Sequence, residues 1–329
     1  MKPFLALFLA VAVSACGPSG SKDIIRASFK GFDATYHCID WKGTKRCYYV
    51  VPPKEKPKHL LVALHPAFTP VKLTEDVSHL AKNVVPDGYL VVYPEGIDRQ
   101  WNDSRVMTKV KTYRDKSDDV GFIDAVTKKI QKKYRFTPAQ TTLAGMSNGG
   151  MMSLRLSCQS ELYGSVATIV ANLPLDLRDA CLAPPKPMLM VFGTHDTVVN
   201  YSGGVLADSG VASDWGAVES AKETEKFFAQ RNGCDLDQVT RHVIGDSEID
   251  ETRAIVSAYH RCKAPLITIH VEKMGHTWPG EESRILAFLS MRGTLTHQFD
   301  AAKTIEEFVD LLRAGENPAA NEVAQPKTK

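Results

Sequence analysis

The sequence has little surplus charge, no internal repeat and no apolar run long enough to span a membrane comfortably. Its 329 residues include 40 lysines and arginines and 38 aspartates and glutamates, which gives a formal net charge of +2. No long basic stripe stands out, so nucleic acid is not an expected partner. Apolar residues make up 43% of the chain, enough for a sizeable core. These features are typical of an ordinary globular protein.

The first fifteen residues (1–15) have the pattern of a secretory signal. A basic Lys2 precedes a short apolar run from Phe4 to Val13 and two small residues. The ending "VSAC" looks like a bacterial lipobox, which implies cleavage before Cys16 and lipidation of its thiol. A plain signal peptide cleaved nearby is the alternative. Residues 16–24 would form a flexible tether, so the mature protein is expected to be exported, either lipid-anchored to the cell envelope or extracellular or periplasmic. Its membrane contact would be through the lipid alone.

The remaining six cysteines include no C-x-x-C pair, which disfavours a zinc site, and we predict no metal or cofactor. An even number of cysteines in an exported chain indicates disulfides, although many connectivities are open. We predict sequential pairing, because each neighbouring pair then closes a local loop. The first pair flanks a hairpin with its turn near Lys42 and Gly43. The expected bonds are Cys38–Cys47, Cys158–Cys181 and Cys234–Cys262.

Strand-like runs alternate with helical stretches from residue 46 onwards. Several runs are continuously apolar, as expected for strands covered by helices on both faces. The pattern predicts an α/β fold with a mostly parallel central sheet flanked by helices. The predicted strands are "CYYVVP", "HLLVALH", "GYLVVYP", "TTLAGM", "PMLMVFG" and "LITIHVEKM", and the predicted helices are "DDVGFIDAVTKKIQKKY", "WGAVESAKETEKFFAQRN" and "AAKTIEEFVDLLRA".

No central linker interrupts this alternation, so we predict a single domain over residues 25–315. The polar end, residues 316–329, is predicted to be disordered. The protein is expected to be a monomer.

The stretch "TTLAGMSNGGMM" contains the motif G-x-S-x-G at Gly145, Ser147 and Gly149. The motif alone is weak, because glycine and serine are common residues. Here it follows an apolar strand and precedes a helix, the arrangement that presents a serine hydroxyl at the carboxyl edge of a sheet. Glycines on both sides leave room for the strained turn. Ser147 is therefore the candidate nucleophile.

A serine nucleophile needs a base, and the base needs an acid to orient it. Asp196 ends the stretch "PMLMVFGTHD" and His276 follows "LITIHVEKMG", so each comes just after a later predicted strand. Catalytic groups on such sheets cluster at the carboxyl ends of the strands, and the order Ser, Asp, His is that of α/β-hydrolases. We predict Asp196 as the acid and His276 as the base. The competing histidines are His195, His260 and His270.

An oxyanion hole requires two backbone N–H donors. One is the amide that follows the nucleophile, here Asn148. The other should come from the loop after the strand in "LLVALHPAF". Pro66 has no N–H, so Ala67 is the candidate, and His65 is expected to be structural.

Aromatic residues in loops at the same sheet edge are candidate substrate contacts. Trp278 lies two residues after His276, and Trp101 and Tyr201 lie in other loops. Aromatic walls suit polyester units, ferulates and sugars alike. A packing role is the alternative for Trp278.

The chain resembles the poly(3-hydroxybutyrate) depolymerase-like esterases, a family that extends to feruloyl and acetylxylan esterases. The matching stretches run from about residue 60 to 280 and include "LVALHPAF", "YLVVYPEG", "QWND", "DDVGFIDA", "GMSNGGMMSLRLSC", "GTHDTVVNYSGG" and "MGHTWPG". The resemblance implies the α/β-hydrolase fold, with Ser147 as nucleophile, Asp196 as acid and His276 as base. The family usually has glycine where this chain has Pro66, and this difference affects the shape of the expected oxyanion loop.

The sequence therefore predicts an exported serine esterase that hydrolyses carboxylic esters through an acyl-enzyme. The expected substrate is a polyhydroxyalkanoate, feruloyl or acetyl-polysaccharide ester. Two alternatives remain: a serine peptidase of the prolyl-oligopeptidase type, and a non-catalytic lipoprotein that binds polymer or glycan on a hydrolase scaffold. The chain has no extra propeller-sized region, which disfavours the peptidase, and no member of the expected triad is missing, which disfavours the binding protein.

Overall fold

The computed structural model describes residues 25–29, 31–106, 116–206, 215–245, 248–281, 293–321 and 323. The predicted signal segment, Cys16 and the tether up to residue 24 lie outside these ranges, as do the last six residues. Within the described ranges, none of the helices combines the length and the apolar character that a membrane crossing requires.

The helices and strands follow one another along the described ranges. The strands are β1 Ile25–Phe29, β2 Phe32–Trp41, β3 Thr44–Val51, β4 His59–Leu64, β5 Tyr89–Pro94, β6 Thr141–Met146, β7 Ser165–Ile169, β8 Met188–Gly193, β9 Gly204–Val205, β10 Ala217–Val218, β11 Asp235–Ile244, β12 Arg253–His260 and β13 Leu266–Glu272. The α-helices are α1 Val71–Ser78, α2 Leu80–Val84, α3 Asp119–Tyr134, α4 Asn148–Gln159, α5 Ala221–Arg231 and α6 Ala301–Arg313. Short 3₁₀ turns lie at Ile97–Arg99, Pro138–Gln140, Leu175–Ala180 and Pro318–Ala320.

One large sheet runs through the described part of the chain in the order β1-β2-β3-β5-β4-β6-β7-β8-β13-β12-β11. Its central strands, from β5 to β13 in this order, are all parallel. The strands at both edges pair antiparallel. The predicted α/β architecture with a parallel centre and flanking helices is thus confirmed. The central strand β7 and the edge strands β1, β11 and β12 have no counterpart among the predicted strands. β11 is mostly solvent-exposed and lacks a continuous apolar run.

Helices cover both faces of the sheet because alternate residues of each central strand point to opposite sides. Leu61 and Ala63 of β4 pack on the side of α1, α2 and α6, whereas Leu60 and Val62 pack on the side of α3, α4 and α5. Both faces are apolar, which explains why the central strands read as unbroken apolar runs.

The helix caps agree with the sequence pattern. The side chain of Asp118 accepts a hydrogen bond from the N–H of Gly121 and begins α3. Asp300 does the same for the first amides of α6. Short acceptor side chains at these positions satisfy N–H groups that have no partner inside the helix.

Three disulfides connect Cys38 to Cys47, Cys158 to Cys181 and Cys234 to Cys262. The predicted sequential pairing is confirmed. Cys38 and Cys47 face each other across β2 and β3, whose connecting turn contains Lys42 and Gly43, both with positive φ.

The start of the predicted disordered tail is ordered. A 3₁₀ turn lies at Pro318–Ala320, and Ala319 and Val323 are buried in the core beside α6. The prediction of disorder is wrong for these residues, because their small apolar side chains cover part of the sheet face. The polar composition of the segment does not reveal this burial.

Candidate active site

Ser147 lies at a sharp corner between β6 and α4. Its backbone has φ 57° and ψ −124°, a region that non-glycine residues rarely occupy. Its N–H donates to the carbonyl of Ile169 at the end of β7, which holds the corner to the sheet. The side chain is 7% exposed. This is the geometry of a nucleophile elbow, in which a strained strand-to-helix turn presents a serine.

The glycines of the motif allow the backbone to pack closely around this corner. A Cβ atom added to Gly149 would clash with the carbonyl of Leu64 and would lie 2.6 Å from the carbonyl oxygen of His65. A Cβ atom at Gly145 would in turn clash with the carbonyl of Gly149. The start of α4 therefore lies directly against the loop after β4, and no larger residue fits between them.

Asp196 and His276 lie in loops after two adjacent parallel strands, β8 and β13. The distance between Nδ1 of His276 and Oδ2 of Asp196 is 2.7 Å. The other carboxylate oxygen, Oδ1, accepts hydrogen bonds from the N–H groups of Val198 and Val199, both at 2.8 Å. Because a carboxylate only accepts, Nδ1 of His276 carries the proton and Nε2 has the free lone pair.

Nε2 of His276 is buried and has no hydrogen-bond partner among the described residues. The structure therefore does not join His276 to Ser147 by a hydrogen bond. Hydrogen bonds of this kind are often long in free enzymes and tighten when substrate binds. His276 borders the same cavity as Ala144, Gly145 and Met146, the residues just before Ser147.

The other histidines lie in different surroundings. His195 is exposed, and His260 contacts Thr240 at the sheet edge. His270 lies between the hydroxyl of Tyr201 and the carboxylate of Glu225. Among the described residues, His276 is the histidine that contacts Asp196.

The loop after β4 is held in place by His65. Nε2 of His65 accepts a hydrogen bond from the N–H of Gly96, so Nδ1 carries the proton and donates to the carbonyl of Pro66. Burial lowers the pKa of His65 to about 4, helped by the positive charges of Arg46 and Arg99. His65 is thus a neutral, buried link. In this loop the N–H of Phe68 donates to the carbonyl of Arg99, and the N–H of Ala67 has no acceptor in the described part of the chain.

The "QWND" stretch fixes the side chain of Asn148. Oδ1 of Asn148 accepts from the N–H of Trp101, and its Nδ2 donates to the Trp101 carbonyl and to Asp103. Asp103 is fully buried and forms a forked ion pair with Arg105. The sequence interpretation assigned no role to Asp103 or Arg105, although "QWND" was among the stretches that carry the resemblance.

Trp101 has no exposed surface, and its indole N–H donates to the carbonyl of His65. Its ring packs against the His65 ring, so it offers no face on which a substrate could stack. The expected substrate contact at Trp101 is replaced by a packing role between the two loops. Tyr201 points to His270 and does not line the cavity beside His276. Trp278 does line that cavity.

The cavity beside His276 has a volume of about 240 Å³. It lies between β4, the start of the elbow, α1 and the loop that follows β13. Most of its walls are apolar. Its polar side chains are those of the segment of residues 276–281 and, on the side of α1, those of Thr69, Thr74 and Ser78. Among the described residues, no group of three or more histidine, cysteine or carboxylate side chains is arranged to hold a metal ion.

No protein-family model matches the chain. It is 30% identical over 188 residues to "Feruloyl esterase B" of Piromyces equi, a match that covers 55% of this chain and 33% of that protein. It is 28% identical over 218 residues to "Putative esterase NocK" of Nocardia uniformis subsp. tsuyamanensis, covering 61% of this chain and 60% of the relative. The chain thus spans less than two thirds of the length of either relative.

Two solved structures share the arrangement of helices and strands. An acetyl xylan esterase from Aspergillus awamori superposes with a TM-score of 0.51 at 15% identity, covering 74% of this chain and 94% of that one. The structure of native sOPH superposes with a TM-score of 0.52 at 15% identity, covering 88% and 91%. Together with the sheet order and the strained serine corner, these likenesses show that the chain has the α/β-hydrolase fold and is similar in sequence to esterases.

Proposed function

We propose that the protein is a serine esterase that hydrolyses carboxylic esters, with Ser147 as nucleophile, His276 as base and Asp196 as the acid that orients the base. The observation that carries the proposal is the 2.7 Å hydrogen bond between Asp196 and Nδ1 of His276, which leaves a buried, unpartnered Nε2 at a cavity bordered by the serine elbow. The similarity to esterases supports the same reaction class.

In the proposed mechanism, Nε2 of His276 takes the hydroxyl proton of Ser147 as the oxygen attacks the ester carbonyl. The imidazolium then returns this proton to the leaving alcohol, and an acyl-enzyme remains. Water hydrolyses the acyl-enzyme by the same steps. Asp196 stabilises the imidazolium, and the amides of its two backbone partners keep the carboxylate from rotating.

The oxyanion of each tetrahedral intermediate would be held by the N–H groups of Asn148 and Ala67. Asn148 is the first residue of α4, so the partial positive charge at the helix N-terminus adds to its donor. The close contact between Gly149 and the loop after β4 supports this pair, because it brings the two segments together.

The ester itself is assigned only by class. The relatives are named for feruloyl and acetyl xylan esters, and the sequence motifs also resemble polyhydroxybutyrate depolymerases. We expect the best substrate to be methyl ferulate, acetylated xylan or polyhydroxybutyrate. Measuring kcat/KM for each of the three identifies it.

We further propose that the protein is exported and anchored through a lipid on Cys16. The three disulfides support export, since such bonds persist in oxidising compartments. Membrane fractionation of wild type and Cys16→Ala and the intact mass of the mature wild type test the anchor; a mature mass with no added lipid would contradict it.

The reaction is tested with a short p-nitrophenyl ester and two serine variants. Ser147→Ala is expected to abolish turnover. Ser153→Ala, in the helix α4 that follows Ser147, removes another buried hydroxyl, one that donates to the carbonyl of Gly149, and is expected to retain most of the rate. If Ser147→Ala and wild type hydrolyse the ester equally, Ser147 is not the nucleophile and the proposal fails. If folded wild type is inactive on every ester tried, the polymer-binding alternative gains support.

A further inference from the structure

Two polar atoms, in residues that line the cavity beside His276, have no hydrogen-bond partner within the described structure. They are the indole N–H of Trp278 and Oε1 of Glu281, in residues that are 3% and 5% exposed. Both residues line the cavity. Buried polar groups in folded proteins almost always have a hydrogen-bond partner, and leaving one without a partner destabilises the fold. Two such groups in one cavity, together with Nε2 of His276, indicate that a ligand supplies their partners.

A tight turn holds these two side chains in fixed positions. The N–H of Glu281 donates to the carbonyl of Trp278, with Pro279 and Gly280 between them. Gly280 has φ +85°, so the turn has proline and a positive-φ glycine at its two central positions, as in a type II turn.

The turn is itself tied to the segment before α6. The N–H of Gly280 donates to the carbonyl of Thr296, and the N–H of Ala301 donates to the carbonyl of Pro279. Because the backbone is fixed at both ends, Trp278 and Glu281 are ready to bind without a further loss of chain entropy.

The rest of the cavity is small and mainly apolar, with the hydroxyl-bearing residues Thr69, Thr74 and Ser78 as its other polar lining. Leu73 and Val77 of α1, Ala63 of β4 and Met146 of β6 form much of its wall. Its volume of about 240 Å³ is below the 300–1,000 Å³ that is typical of pockets for drug-sized ligands, so it suits one short chain and not a polymer segment. The acyl group stays bonded to the serine while the alcohol leaves, so a partly enclosed cavity at the elbow suits the acyl side of the ester.

We propose that Trp278 and Glu281 are specificity-determining residues that bind an oxygen atom on a short, uncharged acyl chain. This inference rests on the proposed esterase function. The indole N–H donates to that oxygen, and the carboxyl of Glu281 supplies a second hydrogen bond. The protein therefore prefers an acyl group with a carbonyl or hydroxyl oxygen to an alkyl chain of the same length.

The charge of the cavity agrees with an uncharged acyl chain. Burial raises the pKa of Glu281 to about 7, so below that pH the carboxyl is neutral and its O–H is a donor. Neither lysine nor arginine is among the residues that line the described cavity, so an anionic acyl group would have no counter-charge there.

The test compares two p-nitrophenyl esters that differ by one oxygen, the pentanoate and the 4-oxopentanoate, below the pKa of Glu281. The measured quantity is the ratio of their kcat/KM values. Wild type is expected to favour the 4-oxo ester. The ratio is expected to fall about five- to tenfold in Trp278→Phe and in Glu281→Leu, as loss of one hydrogen bond predicts. Glu281→Gln keeps a donor and is expected to stay close to the wild-type ratio.

Glu306→Leu is the matched control. Glu306 also has a buried unpartnered Oε1, and its pKa is raised to about 8 by burial and by Asp87, but it lies on α6 beside Asp87 and Asp310, outside the cavity. Its replacement is expected to leave the ester ratio unchanged.

Thermal unfolding of the free protein separates a binding role from a structural one. Glu281→Leu removes an unpartnered buried group, so its midpoint is expected to rise by about 2–4 °C while the ester ratio falls. A lower midpoint with an unchanged ratio would mean that Glu281 only supports the fold and would overturn the proposal. An unchanged ratio in both Trp278→Phe and Glu281→Leu, with hydrolysis still dependent on Ser147, overturns this inference alone. Hydrolysis that does not depend on Ser147 would instead contradict the esterase proposal itself.

Discussion

Single residues of the site are oriented mainly by backbone hydrogen bonds. Asp196 is fixed by two amide donors, His65 by one amide and one carbonyl, and Asn148 by both backbone groups of Trp101. Such contacts leave each side chain one orientation and, for the histidines, one tautomer. Substitutions that preserve size but change the donor pattern are therefore informative.

Asp196→Asn is expected to lower kcat by roughly 10³- to 10⁴-fold, because an amide can present its NH₂ group to Nδ1 and favour the wrong histidine tautomer. The fold should remain intact, since asparagine can still accept from the two amides. Ester turnover and thermal unfolding measure the two effects, with the exposed Asp237→Asn as control. If Asp196→Asn hydrolyses the ester at the wild-type rate, the acid is another residue. Examples are Asp208 and Asp214, which lie outside the described residues.

His65 is expected to make the protein sensitive to acid. Its folded-state pKa of about 4 lies below the usual value of 6.5, so between these values the unfolded chain binds a proton that the folded chain does not. Stability is therefore lost as the pH falls from 6.5 towards 4, by on the order of 3 kcal/mol for this residue.

Urea unfolding at both ends of this pH window measures the effect. His65→Gln should lose less free energy of unfolding on acidification than wild type does, whereas the exposed His195→Gln should lose as much as wild type. Equal acid sensitivity of wild type and His65→Gln would show that His65 is already charged in the folded protein.

At the scale of helices and strands, the site depends on contact between the start of α4 and the loop after β4. The contact exists because Gly149 has no side chain, and the "QWND" loop reinforces it by bonding to His65 on one side and Asn148 on the other. Three segments far apart in sequence thus set the positions of both expected oxyanion donors.

Gly149→Ala is expected to destabilise the protein by about 1–3 kcal/mol and to lower kcat, because the added methyl group must push the loop after β4 away from the elbow. Gly204→Ala is the control: Gly204 also has an unfavourable φ for alanine, but nothing lies within 4 Å of the added Cβ. Its variant should lose some stability and keep the wild-type rate. Equal rates in both variants would mean that the contact at Gly149 does not position catalytic groups.

At the scale of the whole molecule, the disulfides close local loops and do not join distant parts of the chain. The paired cysteines are separated by 9, 23 and 28 residues. Cys158 is fully buried and the other five cysteines are partly buried, and none of the six borders the cavity beside His276. Their contribution is therefore expected to be to stability and not to the geometry of the site.

Removing one pair at a time by cysteine-to-serine substitution tests this expectation. Loop-closure entropy predicts losses of about 2.6 kcal/mol for Cys38–Cys47, about 3.4 for Cys158–Cys181 and about 3.6 for Cys234–Cys262. Urea unfolding gives the free energies, and kcat at low temperature should be unchanged for folded variants. A reversed order would show that the folded-state packing around each bond outweighs loop entropy.

The sequence by itself determined the α/β architecture, the central strands other than β7, the disulfide pairs and the choice of Ser147, Asp196 and His276 as candidates. These features have local signals: buried strands are unbroken apolar runs, and the elbow requires glycines at fixed spacing. The polar end of the chain gave the wrong signal, because the burial of Ala319 and Val323 depends on a surface made by distant elements.

Only the tertiary structure decided what the aromatic and acidic residues near the site do. Trp101, Tyr201 and Trp278 have similar local sequence contexts, but one is fully buried between loops, one contacts His270, and one lines the cavity. Glu281 looks like an ordinary charged residue after "WPG", but the turn places it at the wall of a mainly apolar cavity, where its Oε1 has no hydrogen-bond partner among the described residues. The reason is physical, because the partners of a side chain are residues that are distant in sequence. Composition and local spacing do not show which of these distant residues come into contact.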